Sequence, residues 1–235
     1  MVSHPSIGAR SDESFLRMLP ASYLSALEAS GQTVYGVWED LTLAYTNPSW
    51  FSFASQNAGD RVISVWPIGR SVADAIPPTA QDWYREFFAA AFRYQGAHPP
   101  QHEYECSSAE LYRRFHMTAY ALCENSRSGL VIVHSLLIET PHTERPGTGA
   151  PAAAAAKVYT EPTTGLICQC MHCRRVRRPL EPTLWDWVPV LLREPQPNVT
   201  HGMCEFCSEH FYSEQQILRA VENARRSRNG GLIGD

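Results

Sequence analysis

Four cysteines fall into two Cys-x-x-Cys pairs, Cys170/Cys173 and Cys204/Cys207, with thirty residues between the pairs. Two intervening residues let the backbone turn and aim both sulfurs at one point, so each pair can hold one edge of a tetrahedral ion. The tail that carries them, roughly 70 residues, is marginal on apolar burial alone. A structural zinc ion adds on the order of 10–16 kcal/mol to the folding of such a module. The expected ligands are therefore Cys170, Cys173, Cys204 and Cys207, with Zn2+ in a structural role. Four buried thiols, or a redox pair of the thioredoxin kind, are the competing readings. Cys168 is read as a bystander able to swap into the site under oxidation. His172 and His201 can each replace a cysteine ligand; His201 is read rather as a group that packs or hydrogen-bonds behind the ligands. Covalent haem attachment is not indicated, because neither pair is followed by His.

Arg174, Arg175, Arg177 and Arg178 follow the first pair directly. They read as a solvated face offsetting the charge of a four-thiolate ion. The alternative is a patch docking an acidic protein surface or nucleic acid. The net charge of −4 conceals an asymmetry: residues 1–156 hold 10 basic and 15 acidic side chains, residues 157–235 hold 10 and 9. Nineteen of the 20 cations are Arg, so an anionic partner would meet forked guanidinium groups.

The surrounding elements must position these groups. A chain of 235 residues with 44% hydrophobic and 19% charged content accommodates one good core and a smaller module. No apolar run is long enough for a signal peptide or a membrane span, which places the protein in the cytoplasm and makes its seven cysteines ligands or buried thiols rather than disulfides. Residues 1–14 read as an unstructured start, followed by helical spacing of Phe15, Leu16, Leu19, Tyr23, Leu24 and Leu27, interrupted at Pro20. Val34, Tyr35 and Val37 predict a strand, Glu39-Asp40 a turn, and Leu41 to Tyr45 its hairpin partner. Asn47 is placed to cap a helix with Pro48 at its first position. A second helix is predicted from Thr79 to Gly96, with Thr79 and Asp82 as a capping box. Three strands follow, "QHEYECSS", "LYRRFHMTAYALC" and "GLVIVHSLLIE", in which Cys106 and Cys123 read as buried strand thiols. Residues 141–164 read as a Pro/Ala-rich linker, and Ser213 to Arg228 as a final helix.

The order strand, strand, helices, three strands, with "LAYTNPSW" at the end of the hairpin, resembles a PAS domain. "YECSSAELYRRFHMTAYAL" followed by "GLVIVHSLLIE" is similar to a bacterial PAS subfamily with a Tyr-x-Cys-Ser strand and an Arg-Arg-Phe strand. The tail resembles a Cys-rich module found after PAS or receiver domains in bacterial signalling proteins, on Cys170, Cys173, Arg174, Arg175, Trp187, Pro189, His201, Gly202, Cys204, Cys207 and Tyr212. These resemblances imply an α+β protein: a PAS-like five-stranded antiparallel sheet with helices on one face over residues 13–140, and a small zinc-ribbon-like module over residues 165–228.

Trp50, Phe53, Trp66, Trp83, Phe87 and Tyr104 can line a small apolar pocket for a ligand, but such residues more often merely fill a core. A flavin photoadduct is disfavoured because residues 47–97 contain no cysteine; haem would require His98, His102 or His116. No phosphate-binding glycine loop, Gly-x-Ser-x-Gly or kinase block is visible, so the expectation is a non-enzymatic signal-transduction protein. Its PAS ligand is unassigned, its PAS domain forms a homodimer, and its module binds a protein signalling partner. A zinc-dependent nucleic-acid-binding regulator and a haem or redox sensor are the alternatives.

Overall fold

The computed structural model describes residues 5–57, 59, 65–76, 78–94, 99–124, 127–144, 157–193 and 197–211. The chain divides into two compact units, Met1–Pro141 and His142–Asp235. Among the described residues, no helix is long and apolar enough to cross a membrane.

The first unit is built on strands β1 (Thr33–Trp38), β2 (Leu43–Thr46), β3 (Gln101–Glu105), β4 (Leu111–Glu124) and β5 (Arg127–Pro141). They form one antiparallel sheet in the order β2-β1-β5-β4-β3, the α+β architecture expected. Side chains alternate across the pleat. Leu130 and Ile132 of β5, Val37 of β1, and Met117 and Ala119 of β4 pack against Phe88 and Ala91 of helix α4 (Pro78–Arg93). Val131 and Val133 point the other way, to Val34 and Tyr45. The helix begins at Pro78, so Thr79 lies inside it and is not its cap; a proline fits the first position because its missing N–H has no partner there.

The N-terminal helices add a cover on the opposite face. Asp12 caps α1 (Glu13–Arg17), accepting the Ser14 N–H at 2.7 Å, and Pro20 separates it from α2 (Ala21–Ala29), so the interrupted pattern becomes two short helices. Fully buried Phe15 lies where glycine alone fits beneath it: a Cβ on Gly36 would stand 2.4 Å from its ring, and one on Gly129 2.7 Å. Arg10, expected in an unstructured start, is buried and forms a two-pronged ion pair with Glu28, which also accepts the Tyr45 hydroxyl at 2.5 Å. Asn47 caps α3 (Pro48–Gln56) as expected, and does more. Its Oδ1 accepts the N–H groups of Trp50 and Val34, while its Nδ2 donates to the carbonyls of Leu27 and Gln32.

The second unit contains β6 (Ile167–Cys170), β7 (Val176–Arg178), β8 (Glu181–Asp186), β9 (Val199–Gly202), and helices α5 (Val190–Arg193) and α6 (Glu205–Phe211). The sheet order is β8-β7-β6-β9, antiparallel except for the parallel β6–β9 pair. Tyr159, Ile167, Val176, Val188 and Leu191 form its core. The described residues of the expected linker from His142 on belong to this unit: Tyr159 donates to Asp186 at 2.7 Å, Thr160 bridges to Ile167, and the His142 ring stacks on Trp187 at 4.4 Å. A polar, alanine-rich composition conceals such single anchors. The remainder of that linker over residues 145–156, Tyr212 and the expected helix Ser213 to Arg228 lie outside the described residues.

Candidate metal centre and aromatic inner face

The parallel register is what brings the two cysteine pairs together. Cys170 sits opposite Gly202 at the adjacent ends of β6 and β9, and each strand then runs into a Cys-x-x-Cys turn. The first turn is closed by the Arg174 N–H donating to the Cys170 carbonyl at 3.0 Å and the Cys170 N–H donating to the Arg175 carbonyl at 2.7 Å. Arg174 adopts φ 63, the left-handed conformation needed to reverse the chain there. The second turn opens α6, where the Cys207 N–H donates to Cys204 Sγ at 3.5 Å.

All four sulfurs, Cys170, Cys173, Cys204 and Cys207, are buried and lie within 4.8 Å of one another. Zinc–sulfur bonds of about 2.3 Å imply a tetrahedron with edges of about 3.8 Å. The cluster brackets that size, with Cys173 and Cys204 3.5 Å apart. The Cys204 N–H also donates to Cys170 Sγ at 3.5 Å, a contact that favours thiolate. Hydrogen bonds from Cys173, Cys204 and Cys207 hold the Cys170 thiol far below its usual range, while its bond to Cys170 pushes Cys173 up. The donor set thus fits a thiophilic metal ion, and the four cysteines could bind one.

The other residues singled out in the tail are dispersed. Cys168 is half-buried with its thiol pushed up by burial, and its sulfur would be 3.0 Å from a Cβ on Gly202. His172 packs on Phe211 at 4.0 Å. His201 is exposed on β9, outside the sulfur cluster. The arginines do not form one patch. Arg178 bonds Asp186 at 2.5 Å and meets Glu181 at 3.5 Å. The Arg175 guanidinium lies 5.5 Å over the Phe206 ring, Arg177 pairs across strands with Trp185, and Arg174 is exposed.

In the first unit, Trp83 stacks on Phe87 at 5.4 Å and lies 4.3 Å from His102, and Tyr104 stacks on Phe115, which meets Phe53. Four of the six expected lining aromatics therefore share one ring network. Trp66 instead lies under Arg70, and Trp50 meets Phe51. The network leads to a residue that the sequence reading passed over. His134 on β5 stacks on Tyr35 at 5.3 Å, and its Nδ1 shares a 2.6 Å hydrogen bond with the Tyr104 hydroxyl. Among the described residues its Nε2 is buried without a hydrogen-bond partner, and burial pushes the imidazole down to about 4. Burial also pushes up the hydroxyls of Tyr35, Tyr84 and Tyr104. A neutral imidazole with one nitrogen tied and the other open can donate to a ligand oxygen or ligate iron. The available signal was His134 interrupting the apolar run "LVIVHSLLI", with Ser135 beside it.

Of the histidines considered for haem, His102 is buried among these rings, alternation turns His116 away from the face that Met117 occupies, and His98 lies outside the described residues. Cys106 and Cys123 are exposed rather than buried, because Cys106 follows the end of β3 and Cys123 lies near the tip of the β4–β5 hairpin, beyond the cover of α4.

No protein-family model matches the chain, and no curated protein does. Among solved structures, the PAS domain of an HTR-like protein from Haloarcula marismortui is 11% identical, with a TM-score of 0.32 over 53% of this chain and 97% of that one. A sensory box sensor histidine kinase from Vibrio cholerae is 11% identical, with a TM-score of 0.30 over 53% and 93%. The PAS domain of nitrogen regulation protein NR(II) from Vibrio parahaemolyticus is 10% identical, with a TM-score of 0.28 over 48% and 95%.

Proposed function

We propose that the protein is a non-enzymatic signal-transduction protein of the bacterial cytoplasm, in which a PAS-type sensing unit is coupled to a zinc-stapled unit that engages a partner. The sheet order β2-β1-β5-β4-β3 and the aromatic face around His134 support sensing in the first unit. The single observation that carries the second half is the cluster of four buried sulfurs. Zinc is the metal of choice because four thiolates in a closed, buried site leave no open position for substrate, as structural zinc sites require. Its role is to hold β6 and β9 in register, and a reducing compartment keeps the thiols available. The ligand signal reaches the tail as a population shift, and the sensing unit self-associates as a dimer.

The test is metal content and visible absorbance of full-length protein purified without added metal, beside Cys204→Ser. About one zinc per chain, no colour and loss of metal in the variant are expected. A metal-free preparation with a folded tail overturns the staple, and a visible absorption band transfers the site to iron or the first unit to haem. Light scattering across protein concentration measures the dimer.

A further inference from the structure

Among the described residues, the second sheet has one face committed to its core and another that is not. Ile167, Val176 and Val199 supply the core side, and by alternation Arg177, Trp185, Cys168 and Thr200 stand on the reverse. There Trp185 reaches across to Gly202, where a Cβ would come within 3.4 Å of its ring, and it keeps accessible surface beside Arg177. At the end of this sheet the pattern repeats: Phe206 is 54% exposed in the second cysteine turn, with the Arg175 guanidinium over one side of its ring. Arg174, exposed and left-handed in its backbone, directly precedes Arg175 in the chain.

We propose that this surface binds single-stranded nucleic acid, with Trp185 and Phe206 stacking bases and Arg174 and Arg177 meeting phosphates. The proposal rests on the zinc-stapled reading of the second unit. Flat rings next to guanidinium groups suit splayed bases, which offer a π face whatever their sequence. A protein partner would want a contiguous apolar patch, whereas the positions around Trp185 are Thr200, Cys168, Gly202 and Arg177. The charges select single strands over duplex. Arg178 is neutralised by Asp186, and exposed Glu205 and Glu209 on α6 lower the local potential near Phe206. What remains suits stacking with a few phosphate contacts and not a salt-driven grip on a duplex.

The experiment is fluorescence anisotropy of full-length, metal-loaded protein with labelled single-stranded RNA and DNA of about a dozen nucleotides, and with the matching duplexes, from about 50 mM salt upward. Single strands are expected to bind with little sequence preference and a shallow salt slope of about −1.4, as two phosphate contacts give, the duplex at least about tenfold more weakly. Trp185→Ala and Phe206→Ala each weaken binding about tenfold or more, Trp185→Phe retains most of it, and Arg177→Gln lowers the salt slope by about 0.7. Equal binding of duplex, no binding at about 50 mM salt, or undiminished binding by the Trp185→Ala/Phe206→Ala double variant overturns the proposal. Zinc measured on every sample separates the two readings: metal-loaded protein that ignores oligonucleotides sinks this inference alone, and a wild type without metal sinks the staple on which it rests.

Discussion

Replacing Asn47 by Ala should remove about half the stability of the first unit. The side chain is fully buried and makes four hydrogen bonds to three separate segments: α2 and the turn after it, β1 and α3. Loss of the cap on the Trp50 N–H costs about 1 kcal/mol. The Val34 N–H, left without its side-chain acceptor, costs about 1–3 kcal/mol. The carbonyls of Leu27 and Gln32 lose one donor each, about 0.5–1 kcal/mol apiece. The total is about 3–6 kcal/mol against the 5–15 kcal/mol typical of a domain. Urea unfolding followed by tryptophan fluorescence should show the midpoint of the first-unit transition falling by about 2 M at unchanged slope. Asn47→Ser, which can keep the cap but not the two donors, should fall between. A loss below about 1 kcal/mol for Ala, or equal losses for Ser and Ala, would show that Asn47 only caps a helix.

Gly36→Ala should destabilise by about 1–3 kcal/mol through collision with Phe15, and combining it with Phe15→Ala should be strongly non-additive; additive losses in the double-mutant cycle would mean that the ring is not the obstacle. Because the folded imidazole of His134 is depressed to about 4 from an ordinary 6.5, its contribution is complete above pH 6.5 and is lost as pH falls towards 4, up to about 3 kcal/mol. His134→Phe should flatten that part of the stability–pH curve, and an unchanged slope between those limits would count against a buried neutral imidazole. Chelating the metal should strip hydrogen-exchange protection from β6 and β9 and leave β1 to β5 protected, whereas uniform loss or uniform retention would contradict a staple confined to the second unit.

What the sequence disclosed depended on whether a signal was local. The spacing of Cys170, Cys173, Cys204 and Cys207 and the Asn47-Pro48 helix start are short-range patterns, and the structure reproduces their geometry. Thr79 misled because a capping pattern one residue inside a Pro-started helix looks the same in sequence as one at its edge. Long-range pairing was invisible. Nothing near Phe15 announces that Gly36 and Gly129 form its slot, and nothing near Arg10 announces Glu28 and Tyr45. The same holds for the two candidate binding faces. His134 becomes distinctive only when β3 brings Tyr104 to its Nδ1, and Trp185 only when its ring reaches Gly202. The four arginines show the converse, a local run that long-range structure divides. Asp186 takes Arg178 and Phe206 takes Arg175, so a block of charge in sequence becomes separate contacts with separate partners. Whether the remaining Arg174 and Arg177 recruit an anion depends on the flat rings beside them more than on their number.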